Sequence, residues 1–389
     1  MPLVSASLID TLVEMIRVAG PSGCSADALQ KQVAVVSRAT INRRLAALVQ
    51  QGTIKQAGAG RSLRYVSSSP FSVDDIARYF STDPQARPVA AYSELLLSPI
   101  PSIDSDKARR LSLLMALAAP LDRKFLANFL IDFSWGASIL EGGTYSDLDT
   151  QALILYGQRN NEKPVEDAVL ILNHKQAIEF LWAHRDLSTQ TINKVQSFLT
   201  DSHNVPGTEH SDHFLPEVQR GKPREYEDVN LGRSAYYPPF RPGTGYIQAA
   251  FEQILVTARQ LPAIEAAFYL MTRIPYVQVF ANGNKRTARL VANLPLLQEG
   301  LLPLSFVDFD RQEYIRGMAA FYELGSTLII ENVFIRGYIK SIIRSSQIPI
   351  NLRVQGFDLD VVAQALLGYV NTGRLPTEKL PVAFIMKKI

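Results

Sequence analysis

In this 389-residue chain, the groups that could do chemistry concentrate in one stretch, Gln278 to Arg289, QVFANGNKRTAR. Asn282-Gly283-Asn284 is a turn signal that leads straight into a helical pattern, KRTARLVANL. Free amides at the start of a helix form an anion site. Arg286 and Arg289 are three residues apart, which puts both on one face of that helix. Two guanidinium forks beside a nest of amides suit a di- or triphosphate. Pro295 should end or kink the helix. The alternative is a basic helix start that pairs with acidic neighbours, and the residue types alone leave the two open.

QVFANGNKRTAR resembles the signature of the Fic (Fic/Doc, or Fido) family, H-x-F-x-(D/E)-G-N-G-R-x-x-R. Phe280 falls on the anchoring aromatic, Gly283 and Asn284 on the anion nest, and Arg286 and Arg289 on the phosphate-binding arginines. Three more segments fit in order. ASILEGGTYS, residues 137–146, resembles the inhibitory helix motif (S/T)-x-x-x-E-(G/N), with Glu141 as the glutamate. LNHKQAIEF, residues 172–180, resembles a recurrent helix of the family. GRSAYYPP, residues 232–239, looks like the flap that holds a target segment by strand addition, through Ser234, Ala235, Tyr236 and Tyr237. The resemblance covers residues 90–345. It implies a Fic-fold helical core with a β-hairpin flap and a nucleotide ligand such as ATP with Mg²⁺. It also implies transfer of AMP or phosphate to a protein target docked on the flap.

Four positions depart from the signature. The histidine that would take the proton from the attacking hydroxyl is Gln278, and an amide has no useful basicity near neutral pH. The acidic metal ligand is Asn282, whose neutral carbonyl holds Mg²⁺ more weakly than a carboxylate. The third nest position, usually Gly, is Lys285, as in the phosphate-transferring Doc branch. The Ser/Thr of the inhibitory motif is Ala137. The expectation is therefore a Fic-type nucleotide-binding protein whose AMP transfer is weak, altered or absent. The alternative is a DNA-binding regulator whose Fic-like body senses a nucleotide or partner without catalysis.

The elements that must position these groups read as mainly helical. Phe125, Phe129, Phe133, Ala137 and Leu140 form an apolar stripe at spacings of three and four. That stripe should dock a helix whose end is Glu141, with Gly142 or Gly143 as a left-handed cap. A carboxylate held there, as the resemblance implies, should pair with Arg289. Further helical spacing covers 111–117, 166–182, 192–199, 247–261, 263–273 and 314–344. Residues 229–239, VNLGRSAYYPP, suit a hairpin or an extended edge. HNVPGTEHSDH, residues 203–213, reads as a polar loop, with a metal site as the less favoured alternative.

Residues 1–70 carry eight basic against three acidic residues, and the rest of the chain 32 against 34. A small basic segment on a near-neutral body suggests an anionic partner. Three helical patterns start near Ser5, Ser25 and Ser37, followed by TIKQAG and LRYVS, which alternate as a hairpin. That order resembles a winged helix-turn-helix on 1–68. Ile41, Leu45 and Leu48 should pack inward, leaving Ala39, Arg43, Ala46 and Gln50 outward with Thr40 and Asn42 on the flanks. Such a face suits the major groove of double-stranded DNA, with Arg61 and Arg64 reaching phosphates. The alternative is a protein contact or a homodimer through the same segment.

The remaining expectations are a linker at 69–90 holding one short helix, a Fic domain at 91–345 and a C-terminal segment at 346–389 with a helix in LDVVAQALLGYV. A single cysteine, Cys24, excludes an intrachain disulfide and a Cys-rich metal centre. Asp10 and Glu14 interrupt the N-terminal apolar pattern, so no signal peptide or membrane span is expected, and a cytoplasmic location is.

Overall fold

The computed structural model describes residues 8–19, 23–33, 36–51, 53–58, 60, 63–67, 71–99, 102–118, 120–229, 231–345, 356 and 358–377. The chain is mainly α and divides into two compact units. The first comprises 1–101, 230–239 and 316–329, and the second 102–229, 240–315 and 330–389.

In the first unit, α1 (Leu8–Val18), α2 (Ala26–Gln32) and α3 (Arg38–Gln50) precede β1 (Ile54–Ala57) and β2 (Arg64–Ser67). Ser25 and Ser37 cap α2 and α3 by accepting from Ala28 N and Thr40 N. β1 and β2 are antiparallel, and Cys24 makes an isolated antiparallel bridge to Tyr65. Ile41, Leu45 and Leu48 are buried with Leu12, Ile16, Leu29, Ile54 and Tyr65, as their spacing predicts. The small sheet after three helices is consistent with a winged domain.

The expected linker is instead part of the core of this unit. Ser72 and Asp75 form a capping box on α4 (Val73–Phe80), whose Ile76 is fully buried against Ala320 and Leu324. Arg17 of α1 pairs with Asp75 and lies over Phe71. Arg87 and Glu323 form a buried ion pair at 3.3 Å. Glu323 also accepts from Tyr79 Oη at 2.9 Å, Ser234 Oγ at 2.7 Å and Ala235 N at 3.2 Å. Local composition signalled a linker because these partners lie far away in sequence.

The second unit is a helical bundle: α5 (Ser105–Leu113), α6 (Arg123–Glu141), α7 (Asp147–Tyr156), α8 (Val165–Ala183), α9 (Thr189–Leu199), α10 (Tyr246–Ala258), α11 (Ala263–Val277), α12 (Asn284–Val291) and α13 (Asn293–Gln298). α14 (Arg311–Leu324) and α15 (Leu328–Ser345) each give part of their length to each unit. Every residue of α11 from Ala266 to Val277 is buried, so this helix is the bundle's centre. α5, α10, α12 and α13 pack around it, and α6 packs on α8. α16 (Leu359–Thr372) packs on α5, where Arg110 Nη1 donates to Val370 O at 2.7 Å.

One helix expectation changes: the run at 314–344 is two helices, broken at Gly325-Ser326-Thr327, with Gly325 left-handed at φ 64°. The helix that starts at Asn284 breaks at Ala292 into α12 and α13, three residues before Pro295, which takes the first turn of α13 and cannot donate to the carbonyl of Val291. α7 was missed, since its capping box of Ser146 and Asp149 precedes a weakly amphipathic sequence.

Candidate functional site

The motif starts where α11 stops. Gln278 is left-handed at φ 51°, ψ 64° and only 4% exposed. Both ends of its amide are engaged. Nε2 donates to Pro275 O at 2.6 Å, and Oε1 accepts from Asn284 Nδ2 at 2.9 Å. Asn284 closes the turn: its Oδ1 accepts Phe280 N at 2.8 Å and its Nδ2 donates to Phe280 O at 2.7 Å. The buried Arg224 adds donors to Gln278 O at 2.6 Å and Val277 O at 3.2 Å. Gln278 therefore shapes the turn and offers no basic lone pair.

Gly283 follows at φ 76°, and a Cβ there would lie 2.8 Å from Thr200 Cγ2, so only glycine fits. The first intrahelical bond of α12 is Thr287 N to Gly283 O at 2.8 Å, which leaves the amides of Asn284, Lys285 and Arg286 outside the helix ladder. Asn282 is engaged on every side. Its Oδ1 accepts Gly283 N at 2.5 Å and Arg286 Nη2 at 3.4 Å, its Nδ2 donates to Asp212 O, and its carbonyl accepts Gln196 Nε2 at 3.1 Å. An amide oxygen already accepting two N–H groups does not fit a Mg²⁺ ligand. Among the described residues no group of three His, Cys, Asp or Glu could hold a metal ion.

Arg286 differs from expectation. It is 2% exposed and donates from Nη1 to Leu199 O at 2.7 Å and from Nη2 to His213 O at 2.7 Å. Its fork fastens the 200–213 loop to α12 and is not an open anion ligand. HNVPGTEHSDH thus belongs to the site as a supplier of carbonyls: Asp212 O takes Asn282 and His213 O takes Arg286. His203 is bonded to Asn173 Oδ1 at 2.8 Å.

Arg289 is the arginine that remains. It is 0% exposed, and its Nη2 donates to Glu141 Oε1 at 2.6 Å. Among the described residues its Nε and Nη1 have no well-aligned hydrogen-bond partner; the side chain beside them is Tyr314, whose ring centroid lies 5.7 Å from the guanidinium. Among the described residues, buried Thr287 Oγ1 and Ser138 Oγ are likewise unpartnered.

Glu141 is brought there by α6. Phe129, Phe133, Ala137 and Leu140 are buried along one stripe, with Phe125 and Phe129 stacked near Trp182. Gly142 is left-handed at φ 99° and stops the helix directly after Glu141. Beyond it, Thr144 N and Oγ1 both donate to the buried Asp167 Oδ2 at 2.7 Å, which fixes the exit. Burial alone would raise the Glu141 pKa, but Arg289, Arg286 and Lys285 outweigh it and hold the group at about 2.

Lys285, half-buried, has its ammonium pKa pulled below the usual range by burial. Arg311 Nε caps Leu140 O at 3.2 Å. The fully buried His174 donates from Nδ1 to Leu170 O at 2.7 Å, and burial together with Arg289 and Arg286 pushes its pKa down to about 3. One carboxylate thus sits among several cations. Sequence reasoning found Glu141, Lys285 and Arg289 but missed Arg224, Gln196, Asp167, Arg311 and Tyr314, which carry no local signature.

The expected flap lies in the first unit and is not a hairpin. β4 (Tyr236–Tyr237) pairs in parallel with β3 (Ala90–Ala91), and Ala90 N donates to Ala235 O at 2.9 Å. Pro238 and Pro239 lack the N–H groups that would continue the ladder. Ser234 and Ala235 are held by Glu323, Tyr236 is buried, and Tyr237 is exposed. On α3, Asn42 and Arg43 are exposed along with Ala39, Ala46 and Gln50. Arg64 on β2 is exposed too, while the Thr40 hydroxyl is tied to Ser37 Oγ at 3.0 Å. Arg61 lies outside the described residues.

Comparison with known proteins matches residues 186–296 to the Fic/DOC family, a span that begins after α8 and ends inside α13. No curated protein matches the chain. Solved structures similar to it include three Fic proteins. A fragment of Fic-1 from C. elegans is 20% identical, covering 62% of this chain and 71% of that one, with a TM-score of 0.48. A Fic domain containing signaling protein from Bacteroides thetaiotaomicron is 16% identical, covering 61% and 96%, with a TM-score of 0.46. A Fic family protein from Desulfovibrio desulfuricans is 14% identical, covering 76% and 86%, with a TM-score of 0.49. No described helix is long and apolar enough to cross a membrane. The turn, the α12 start and the arginines built above all fall inside the matched span, so residues 186–296 of this chain are a Fic/DOC family domain.

Proposed function

We propose that this domain binds the phosphates of a nucleotide such as ATP at Arg289 and the start of α12, that Glu141 competes for that position, and that AMP transfer is weak or absent. The observation that carries this is Arg289, a buried cation with one nitrogen on Glu141 and, among the described residues, no well-aligned partner for the other two. A phosphate offers several acceptors and would satisfy donors that one carboxylate leaves unmet. The α12 amides of Asn284, Lys285 and Arg286 add positive potential at the start of that helix.

The case against efficient transfer rests on two side chains. Gln278 and Asn282 spend their amides on the turn, which leaves neither a general base nor a carboxylate for Mg²⁺. A positioned base contributes about 10²–10⁴-fold. Incubation with labelled ATP, reading both protein modification and ATP consumption, should give neither. Robust labelling by the wild type would overturn this part and require another base.

The exposed Asn42, Arg43 and Arg64, on a unit whose small sheet after three helices is consistent with a winged domain, support a second role for the same chain in binding duplex DNA. Together the two roles describe a DNA-binding regulator with a nucleotide-sensing Fic domain. The proposed setting is the cytoplasm.

A further inference from the structure

The second unit contains a cavity of about 600 Å³, within the size range of small-molecule sites. It opens along α6, well before Glu141. Phe125, Phe129 and Leu302 give it an apolar wall, and Leu155 stands at its mouth, half exposed. Its polar groups are unequal in what they already do. Asp122 lines it but is spent as the N-cap of α6, accepting Phe125 N at 2.7 Å. Arg344 lines it but is bound to Asp308 through both carboxylate oxygens at 3.2 Å. Ser305 and Ser341 face each other at 3.3 Å.

Lys124 and Asn128 also line it and are exposed, so the exception among its shielded polar groups is Asp132. It is a mostly buried carboxylate on the cavity wall, with no hydrogen bond and no ion pair among the described residues. Desolvation raises its pKa to about 6. Arg344 opposes the rise, while Asp147 and Asp308 reinforce it. A desolvated carboxylate with no ion pair of its own is costly unless something pairs with it. Aromatic walls beside such a carboxylate match one ligand chemistry, a cationic nitrogen on an apolar body.

We propose that this cavity is a binding site for a small organic ammonium compound, with Asp132 as counter-ion and Phe125 and Phe129 holding the apolar part. Asp132 and Glu141 are nine residues apart on α6, which is two and a half turns and places them on opposite faces of the helix. The amine site is therefore separate from the phosphate site and does not depend on it.

Calorimetry on the full chain tests this with three probes of one shape: 2-phenylethylamine, 2-phenylethanol and 3-phenylpropanoate. The amine should bind about 10- to 100-fold more tightly than the alcohol, the usual worth of a charge-assisted hydrogen bond, and the acid should not bind. Asp132→Asn should remove the preference for the amine while keeping the fold, because the native carboxylate bonds to nothing. Leu155→Trp, at the exposed mouth, should exclude all three probes. Glu141→Gly should leave amine binding intact. Failure of the amine to bind the wild type at millimolar concentration, or an unchanged amine preference in Asp132→Asn, would overturn the proposal.

Discussion

Replacing Glu141 by Gln should destabilise the second unit at neutral pH, and added phosphate should reverse the loss. The carboxyl falls from an ordinary 4.5 to about 2 in the folded chain. A depressed carboxylate contributes stability that is complete above the unfolded pKa and is lost as pH falls toward the folded one. Here that window runs from about 4.5 down to about 2. The shift is worth about 3 kcal/mol, at 1.36 kcal/mol per pH unit. Breaking a buried pair by removing one partner costs about 3–5 kcal/mol in comparable cases, which agrees. The cost falls on Arg289, whose side chain has no exposure through which water could replace the lost acceptor. An anion that enters the vacated position at 100 times its Kd returns about 2.7 kcal/mol. Urea unfolding of wild type and Glu141→Gln at pH 7, with and without phosphate, measures both quantities. Equal midpoints for the two proteins, or a loss that phosphate does not reverse, would refute the view that Glu141 fills an anion site.

Three further outcomes follow from the geometry. Gly283→Ala should cost about 1–3 kcal/mol, because φ is 76° and the added carbon would meet Thr200 at 2.8 Å; a loss below 0.5 kcal/mol in urea unfolding would mean the turn relaxes freely. Asp132→Asn should raise stability at pH 7, since a carboxyl raised to about 6 lowers stability as pH rises through roughly 4 to 6; the gain should vanish below pH 4, and a variant no more stable at pH 7 would contradict the desolvation. Arg64→Ala should weaken binding to all duplexes alike, with the log–log salt slope reduced by about 0.9, whereas Arg43→Ala should relax one position by about 1–3 kcal/mol; a flat salt profile in the wild type removes DNA as a partner.

Much of this was legible in the sequence wherever one face of one element carried the signal. Ile41, Leu45 and Leu48 point inward because apolar residues at that spacing must share a side. Glu141 was legible from an apolar stripe that docks α6 and a glycine that stops it, together with the family resemblance. Arg286 was misjudged although its place on α12 was right. Which acceptors a buried guanidinium finds depends on carbonyls of Leu199 and His213, more than 70 residues earlier. The same reason hid the role of the stretch read as a linker at 69–90: Ser/Pro-rich composition signals a linker until Glu323 and Ala320 are placed against its described residues. Of the hairpin or extended edge expected at 229–239, the structure has a short extended strand, because the two prolines end its ladder.

The most direct test of the central claim is calorimetric titration of ATP and AMP into wild type, Glu141→Gly, and Glu141→Gly combined with Arg289→Ala. If Glu141 occupies the position of an outer phosphate on Arg289, Glu141→Gly should tighten ATP about 10-fold or more while changing AMP little, and the double variant should lose that gain. Equal affinities of ATP for wild type and Glu141→Gly, or a gain that survives removal of Arg289, would contradict the account.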